Sequence, residues 1–183
     1  GLVGFGGYSN TSGHVIDVGS ASALGSASEF TTATGQLVQT GATEDGYAGI
    51  ATALNGITLD ANDSNIVILV TDEDRDIVDS SQDFASILSA LTSAAAKLMM
   101  LGRAGVYTDA GDLAIATDGT TAFVQDGTSY TESTYDYLLG AGTTEADYAD
   151  LTFQTGGMFA SLDVLRAGGD AALAFAEVLL TAF

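Results

Sequence analysis

Asn65-Ile-Val-Ile-Leu-Val-Thr-Asp-Glu-Asp-Arg-Asp76 decides how this chain is read. Its apolar run, residues 66–70, ends abruptly in Thr71, Asp72, Glu73, Asp74 and Asp76. An unbroken run of β-branched and leucine side chains predicts a strand buried on both faces, as in a parallel sheet. Open α/β sheets bind their ligands just beyond the carboxyl ends of such strands. Acidic side chains crowded there repel one another unless something positive sits among them, and a divalent cation would answer that need.

Outward from this strand, Tyr47, Ile50, Ala51 and Leu54 recur at helical spacing and predict a helix over 45–54, stopped by Asn55-Gly56. Phe84, Ile87, Leu88, Leu91, Ala95 and Leu98 share one face of a longer helix over 80–100, capped by Ser80 or Ser81. Upstream, 2–8 reads as a glycine-rich strand and 14–18 as an edge strand. The stretch 19–43 is loop-prone, with a short strand or helical turn at Leu37 and Val38. Downstream, 103–108 reads as a strand, and 113–117 and 121–124 flank Asp118-Gly119 as a hairpin. Residues 129–150 read as a polar, tyrosine-rich surface excursion, 151–157 as a strand entering a tight turn, and 158–166 and 170–181 as closing helices. Alternating strands and helices predict one α/β domain over 1–183, built on an open, mostly parallel, doubly wound sheet with helices on both faces. The hairpin near 113–124 is an insertion in that plan.

Composition narrows the function. Hydrophobic residues make up 46% of the 183, enough for a packed core despite 23 glycines. Four Lys and Arg against 24 Asp and Glu leave a net charge of -20, which argues against nucleic acid or an anionic membrane as partner. Cations, a salty medium or a basic partner suit it better. The chain has no cysteine and hence no disulfide or thiolate chemistry. No apolar run approaches the length of a membrane span. Gly1-Leu-Val-Gly-Phe-Gly-Gly-Tyr8 already reads as a strand, so a processed or trimmed chain is expected.

Four segments occur in a telling order: Leu2-Val-Gly-Phe-Gly6, Thr43-Glu-Asp-Gly-Tyr-Ala-Gly-Ile50, Ile68-Leu-Val-Thr-Asp-Glu-Asp-Arg-Asp76, and Tyr148-Ala-Asp-Leu-Thr-Phe-Gln-Thr-Gly-Gly157 with its helices. Together they resemble a von Willebrand factor type A domain of the bacterial exported or surface kind. The resemblance implies a metal-ion-dependent adhesion site holding Mg²⁺ or Ca²⁺, with Thr43 and Asp72 as metal ligands. Glu44, Asp45, Asp74 and Asp76 would stand behind them. Mg²⁺ suits such hard oxygen ligands and keeps waters that a partner carboxylate can replace. The family's Asp-x-Ser-x-Ser triplet is absent from any suitable place, because it belongs on a first, central strand that the chain lacks. Its loss would leave two rows of backbone groups unpaired, at about 1–3 kcal/mol for each buried group. The resemblance therefore implies a strand supplied from outside, by a cleaved precursor half or a neighbouring subunit.

Other residues carry plainer readings. Thr43 also suits the N-cap of the helix over 45–54, and Glu73, Asp74 and Asp76 a solvated or Arg75-paired cluster. His14 stands alone, so it forms neither a triad nor a zinc site. Gly4-x-Gly6-Gly7 lacks the features of a phosphate loop, and close approach of a neighbouring strand explains it better. Asp109, Asp112, Asp118 and Asp126 lack the spacing of a calcium-binding loop, and turn chemistry accounts for two of them.

Three functions remain: an extracellular adhesion or self-assembly module, a purely structural subunit of a surface filament or sheath, and an enzyme. The single histidine and the missing phosphate loop make an enzyme the weakest. The expected partner is another protein or further copies of the chain.

Overall fold

The computed structural model describes residues 1–6, 13–19, 23–38, 41, 43–59, 64–140 and 142–182. They form two compact units, Gly1–Val67 with Arg75–Ala96, and Ile68–Asp74 with Lys97–Phe183. Gly7 and Tyr8, the end of the strand expected over 2–8, lie outside the described residues.

In the first unit, β1 (Leu2–Gly4) and β2 (His14–Ile16) pair antiparallel, with Gly4 opposite His14. A Cβ on Gly4 would stand 2.7 Å from the His14 ring, so the glycine makes room for a cross-strand side chain rather than for neighbouring backbone. The loop-prone stretch contains a helix, α1 (Ala27–Ala33), that continues into a 3₁₀ turn over Thr34–Gln36. Ser26 and Glu29 form a capping box at its start, and the hydrogen bonds from Ser26 hold the Glu29 carboxyl below its ordinary range. Ile16, Val18 and Ala33 bury together against Leu2 and Leu37.

The helix expected over 45–54 is α2 (Gly46–Gly56), and Asp45, not Thr43, is its N-cap. The helix expected over 80–100 is shorter: α3 spans Phe84–Ser93, and Asp83 caps it by accepting the Ser86 N–H at 2.8 Å, in place of Ser80 or Ser81. Ala95 then takes φ 49, a left-handed conformation that ends the helix, and the chain leaves as strand β4 (Ala96–Gly102). Leu98, Met99, Met100 and Leu101 are all buried, on alternating sides, which a strand between two layers provides and a one-sided helix does not.

The second unit is built on a sheet. Its strands are β3 (Asn65–Val70), β4, β5 (Ala104–Thr108), β6 (Leu113–Ala114), β7 (Ala116–Thr117), β8 (Thr121–Asp126), β9 (Ser129–Gly140) and β10 (Met158–Ser161). Their order is β3-β4-β10-β7-β8-β9-β5-β6, with β3 entering this unit through its second half. Parallel pairing, expected through most of the sheet, joins β10 to β4, with Met158 opposite Met99. From β10 to β6 the registers run antiparallel. The architecture is thus mixed α/β.

Met99, Leu101, Met158 and Ala160 face a core with Ile115, Phe123, Phe175 and Val178. Leu98, Met100 and Phe159, alternating with them, are fully buried on the opposite face. The two-sided burial read into residues 66–70 therefore belongs to β4 and β10. Ile66, Ile68 and Val70 of β3, which share one face of the strand, are 38%, 55% and 50% exposed.

The hairpin at Asp118-Gly119 forms between β7 and β8. The expected surface excursion instead supplies β9, twelve residues paired with β8 on one side and β5 on the other. Tyr107 and Tyr137 stack across it, ring centroids 5.0 Å apart. Residues 151–157, expected as a strand, are mostly helix: α4 (Asp150–Gln154) follows a π-helical turn over Glu145–Ala149, and the strand comes later as β10. The chain closes with α5 (Leu162–Ala167) and α6 (Gly169–Ala182). No described helix is long and apolar enough to cross a membrane.

Gly157 joins α4 to β10 where an added Cβ would overlap the Leu98 carbonyl, so only glycine fits. Gly157→Ala should therefore destabilise the protein by about 2 kcal/mol or more in urea unfolding, since backbone must move. Gly35→Ala, with nothing within 4 Å, should change stability by no more than about 0.5 kcal/mol.

Candidate functional site

Asp45 is the most heavily engaged carboxylate near the acidic loop. It is fully buried at the N-terminus of α2, where its Oδ1 accepts the Tyr47 N–H at 3.1 Å. Arg75 donates to it through Nε at 2.7 Å and Nη2 at 3.2 Å, and the Val78 N–H donates to Oδ2 at 3.0 Å. These bonds match the acceptor capacity of an ionised carboxylate. The Arg75 guanidinium also lies 4.1 Å from the centre of the Tyr47 ring. Burial alone would raise the Asp45 pKa; the bonds and charge of Arg75, with the Val78 N–H, outweigh it and hold the carboxyl below its ordinary range. Arg75 thus forms a buried ion pair with Asp45 in the interior of the first unit.

The other acidic side chains are held one by one. In the first unit, the Glu44 N–H donates to Asp76 Oδ2 at 2.9 Å while the Asp76 N–H donates to the Glu44 carbonyl at 2.8 Å. In the second, the Thr144 hydroxyl donates to Asp74 Oδ1 at 2.5 Å, and Gly142 leaves no room for a Cβ beside that carboxylate. Asp72 stands 3.5 Å from Arg166. Glu73 is exposed, and among the described residues no cation pairs with it. The mutual repulsion read in the sequence is relieved by backbone N–H groups, one hydroxyl and two arginines. Arg166, Thr144 and Gly142 carry no local signal, being remote in the chain from the carboxylates they meet.

The ligand pair implied by the resemblance divides between the units: Thr43, exposed, belongs to the first and Asp72 to the second. Among the described residues no three His, Cys, Asp or Glu side chains gather as a metal-holding group. The donors described in either unit do not by themselves fit a divalent-ion site. Asp118 shows the turn chemistry expected of it: its Oδ1 accepts the Thr120 and Thr121 N–H groups at 2.8 and 2.7 Å, next to Gly119 at φ 92. Those bonds outweigh partial burial and lower its pKa. His14 is half-buried, as expected of a lone histidine.

β3 is the remaining feature that asks for a function. Among the described residues it has a strand neighbour on one side only, β4. It carries no charge and no proline, two of the devices by which exposed edges are normally guarded. Ile66, Ile68 and Val70 line one of its faces in the open. Thr71, directly after it, is buried, and its N–H donates to the Leu101 carbonyl at 3.2 Å, so the strand is held firmly to its end.

The chain matches no family model, no curated protein and no solved structure.

Because Asp45 has its folded pKa lowered, it contributes stability that is complete above about pH 4 and lost as pH falls through the lowered value. Asp45→Asn should remove that acid-dependent part of the pH–stability curve, measured by urea unfolding between about pH 2 and 7. At neutral pH it should cost about 3–5 kcal/mol, since it strands a buried guanidinium, and Asp45→Asn with Arg75→Leu should recover part of the loss.

Proposed function

We propose that this protein is a non-catalytic binding and assembly module, acting outside the cell, whose working surface is the open edge of β3. A strand from another chain adds to that edge, as in strand complementation, by pairing with the backbone of β3. The observation that carries this reading is that β3, among the described residues, has one strand neighbour, β4. Six uncharged residues, four of them β-branched, at the end of a sheet form a template for pairing. The type A resemblance supports the same reading.

Divalent-cation adhesion through Thr43 and Asp72 is the competing mechanism, and a structural subunit without a working metal site is the plainer form of the assembly reading. Only the cation mechanism requires a chelatable ion for binding.

A neutral, extended peptide of alternating Val and Thr, N-methylated along its outer edge so that it cannot recruit a further strand, tests the proposal. It should bind in fluorescence anisotropy and slow amide hydrogen exchange over 66–70, and EDTA should leave both unchanged. Ile68→Lys should abolish binding while leaving the thermal midpoint nearly unaltered, because the side chain is exposed. Binding without protection of the β3 amides would refute edge pairing, and loss of binding in EDTA would transfer the case to the cation mechanism.

A further inference from the structure

Asp-Gly occurs three times in the chain, at Asp45-Gly46, Asp118-Gly119 and Asp126-Gly127. Such a pair can rearrange without a catalyst. The glycine nitrogen, which no side chain shields, attacks the aspartate Cγ and closes a five-membered succinimide. A new N–Cγ bond forms, and one carboxyl oxygen leaves as water with the N–H and carboxyl protons. The reaction needs a carboxyl that can be protonated and turned, and a nitrogen free to give up its proton. Hydrogen bonds that hold the carboxylate ionised, or that occupy the N–H, oppose it.

Two of the three pairs are locked in this way. The Asp45 carboxylate is buried, accepts the Tyr47 and Val78 N–H groups and two donors of Arg75, and is held ionised below its ordinary range. Asp118 accepts the Thr120 N–H and hydroxyl, each at 2.8 Å, and the Thr121 N–H at 2.7 Å. The Gly119 N–H is itself engaged, donating to the Thr117 hydroxyl at 3.0 Å.

Asp126-Gly127 has no such restraint. Asp126 closes β8 opposite Ser129, so Gly127 and Thr128 form the turn into β9, and all three of Asp126, Gly127 and Thr128 are exposed. Among the described residues nothing donates to the Asp126 carboxylate and nothing accepts the Gly127 N–H. Gln125 reaches the Gly127 carbonyl at 3.0 Å, which leaves the nitrogen untouched. A Cβ on Gly127 would meet no atom within 4 Å, so the turn has open space in which to rotate.

We infer that the tip of the β8–β9 hairpin is a self-modification site, at which Asp126 cyclises onto Gly127 and reopens as isoaspartate. Water adding at Cγ restores aspartate. Water adding at the main-chain carbonyl breaks the original peptide bond and leaves the chain running through Cγ, with one extra main-chain atom at the end of β8. Water is the only co-reactant and no group is oxidised or reduced. The site stands apart from the proposed binding role and does not depend on it.

Incubation of the native chain at neutral pH in heavy-oxygen water, followed by chymotryptic digestion in ordinary water, tests the inference. The peptide 124–130 should take up heavy oxygen, and its sequential degradation should stop at Asp126. Uptake at Asp118 should be slower by at least about tenfold, since three hydrogen bonds must first be given up. In the chain unfolded by guanidinium all three pairs should label at similar rates. Asp126→Asn should speed ring closure at this position, with ammonia leaving in place of water. Asp126→Glu, which would need a six-membered ring, should abolish uptake in 124–130 and leave folding unchanged, because the side chain is exposed. Native uptake at Asp118 or Asp45 as fast as at Asp126 would overturn the inference. So would a native 124–130 that stays unlabelled while the unfolded chain labels there.

Discussion

Scarcity of positive charge is the constraint on which this structure turns. Four Lys and Arg serve 24 Asp and Glu, so the position of each cation decides which segments can be brought close together. Arg75 is placed in the interior, 7% exposed against a fully buried Asp45, and through that carboxylate it ties the start of α2 to the backbone at Val78. A buried ion pair adds little net stability against an apolar substitute, but breaking one is severe. Its effect is to specify one arrangement of two loops that would otherwise repel. Arg166 plays the lesser, solvent-screened part near Asp72 and Asp163. Other carboxylates are held without a cation, Asp76, Asp83 and Asp118 each accepting backbone N–H groups.

What the sequence revealed followed from where local chemistry decides. β3, α2 and the Asp118-Gly119 hairpin stand where expected, because their signals lie within a few residues of one another. α1 was legible too, in Ser26 and Glu29, but the Ser, Thr and Ala around them read as loop. The break between α3 and β4 had no such marker. Ala95 adopts a left-handed conformation that glycine usually supplies, and the apolar spacing at Ala95 and Leu98 mimics a helix face across it. Likewise β9 is recognisable by the turn at Gly127, φ 63, and by its Tyr and Thr content, yet its long polar alternation resembles a surface loop until β8 and β5 flank it.

The sites divide in the same way. Asp45 could be read as a cap, but that Arg75 would pass over its neighbours Asp74 and Asp76 to reach it depends on packing 30 residues away in sequence. Thr144 and Arg166, 70 and 94 residues from Asp74 and Asp72, are beyond any local pattern. Burial was the subtler misreading. A continuous apolar run does not say whether a strand is central or terminal, and β3 and β4 look alike in composition while only β4 is covered on both faces.

That ambiguity bears on function. A run such as Asn65–Val70 is ordinary in a sheet's middle and hazardous at its end, since an uncharged edge can recruit any extended chain. Guarding residues within the strand would block a legitimate partner along with the wrong ones.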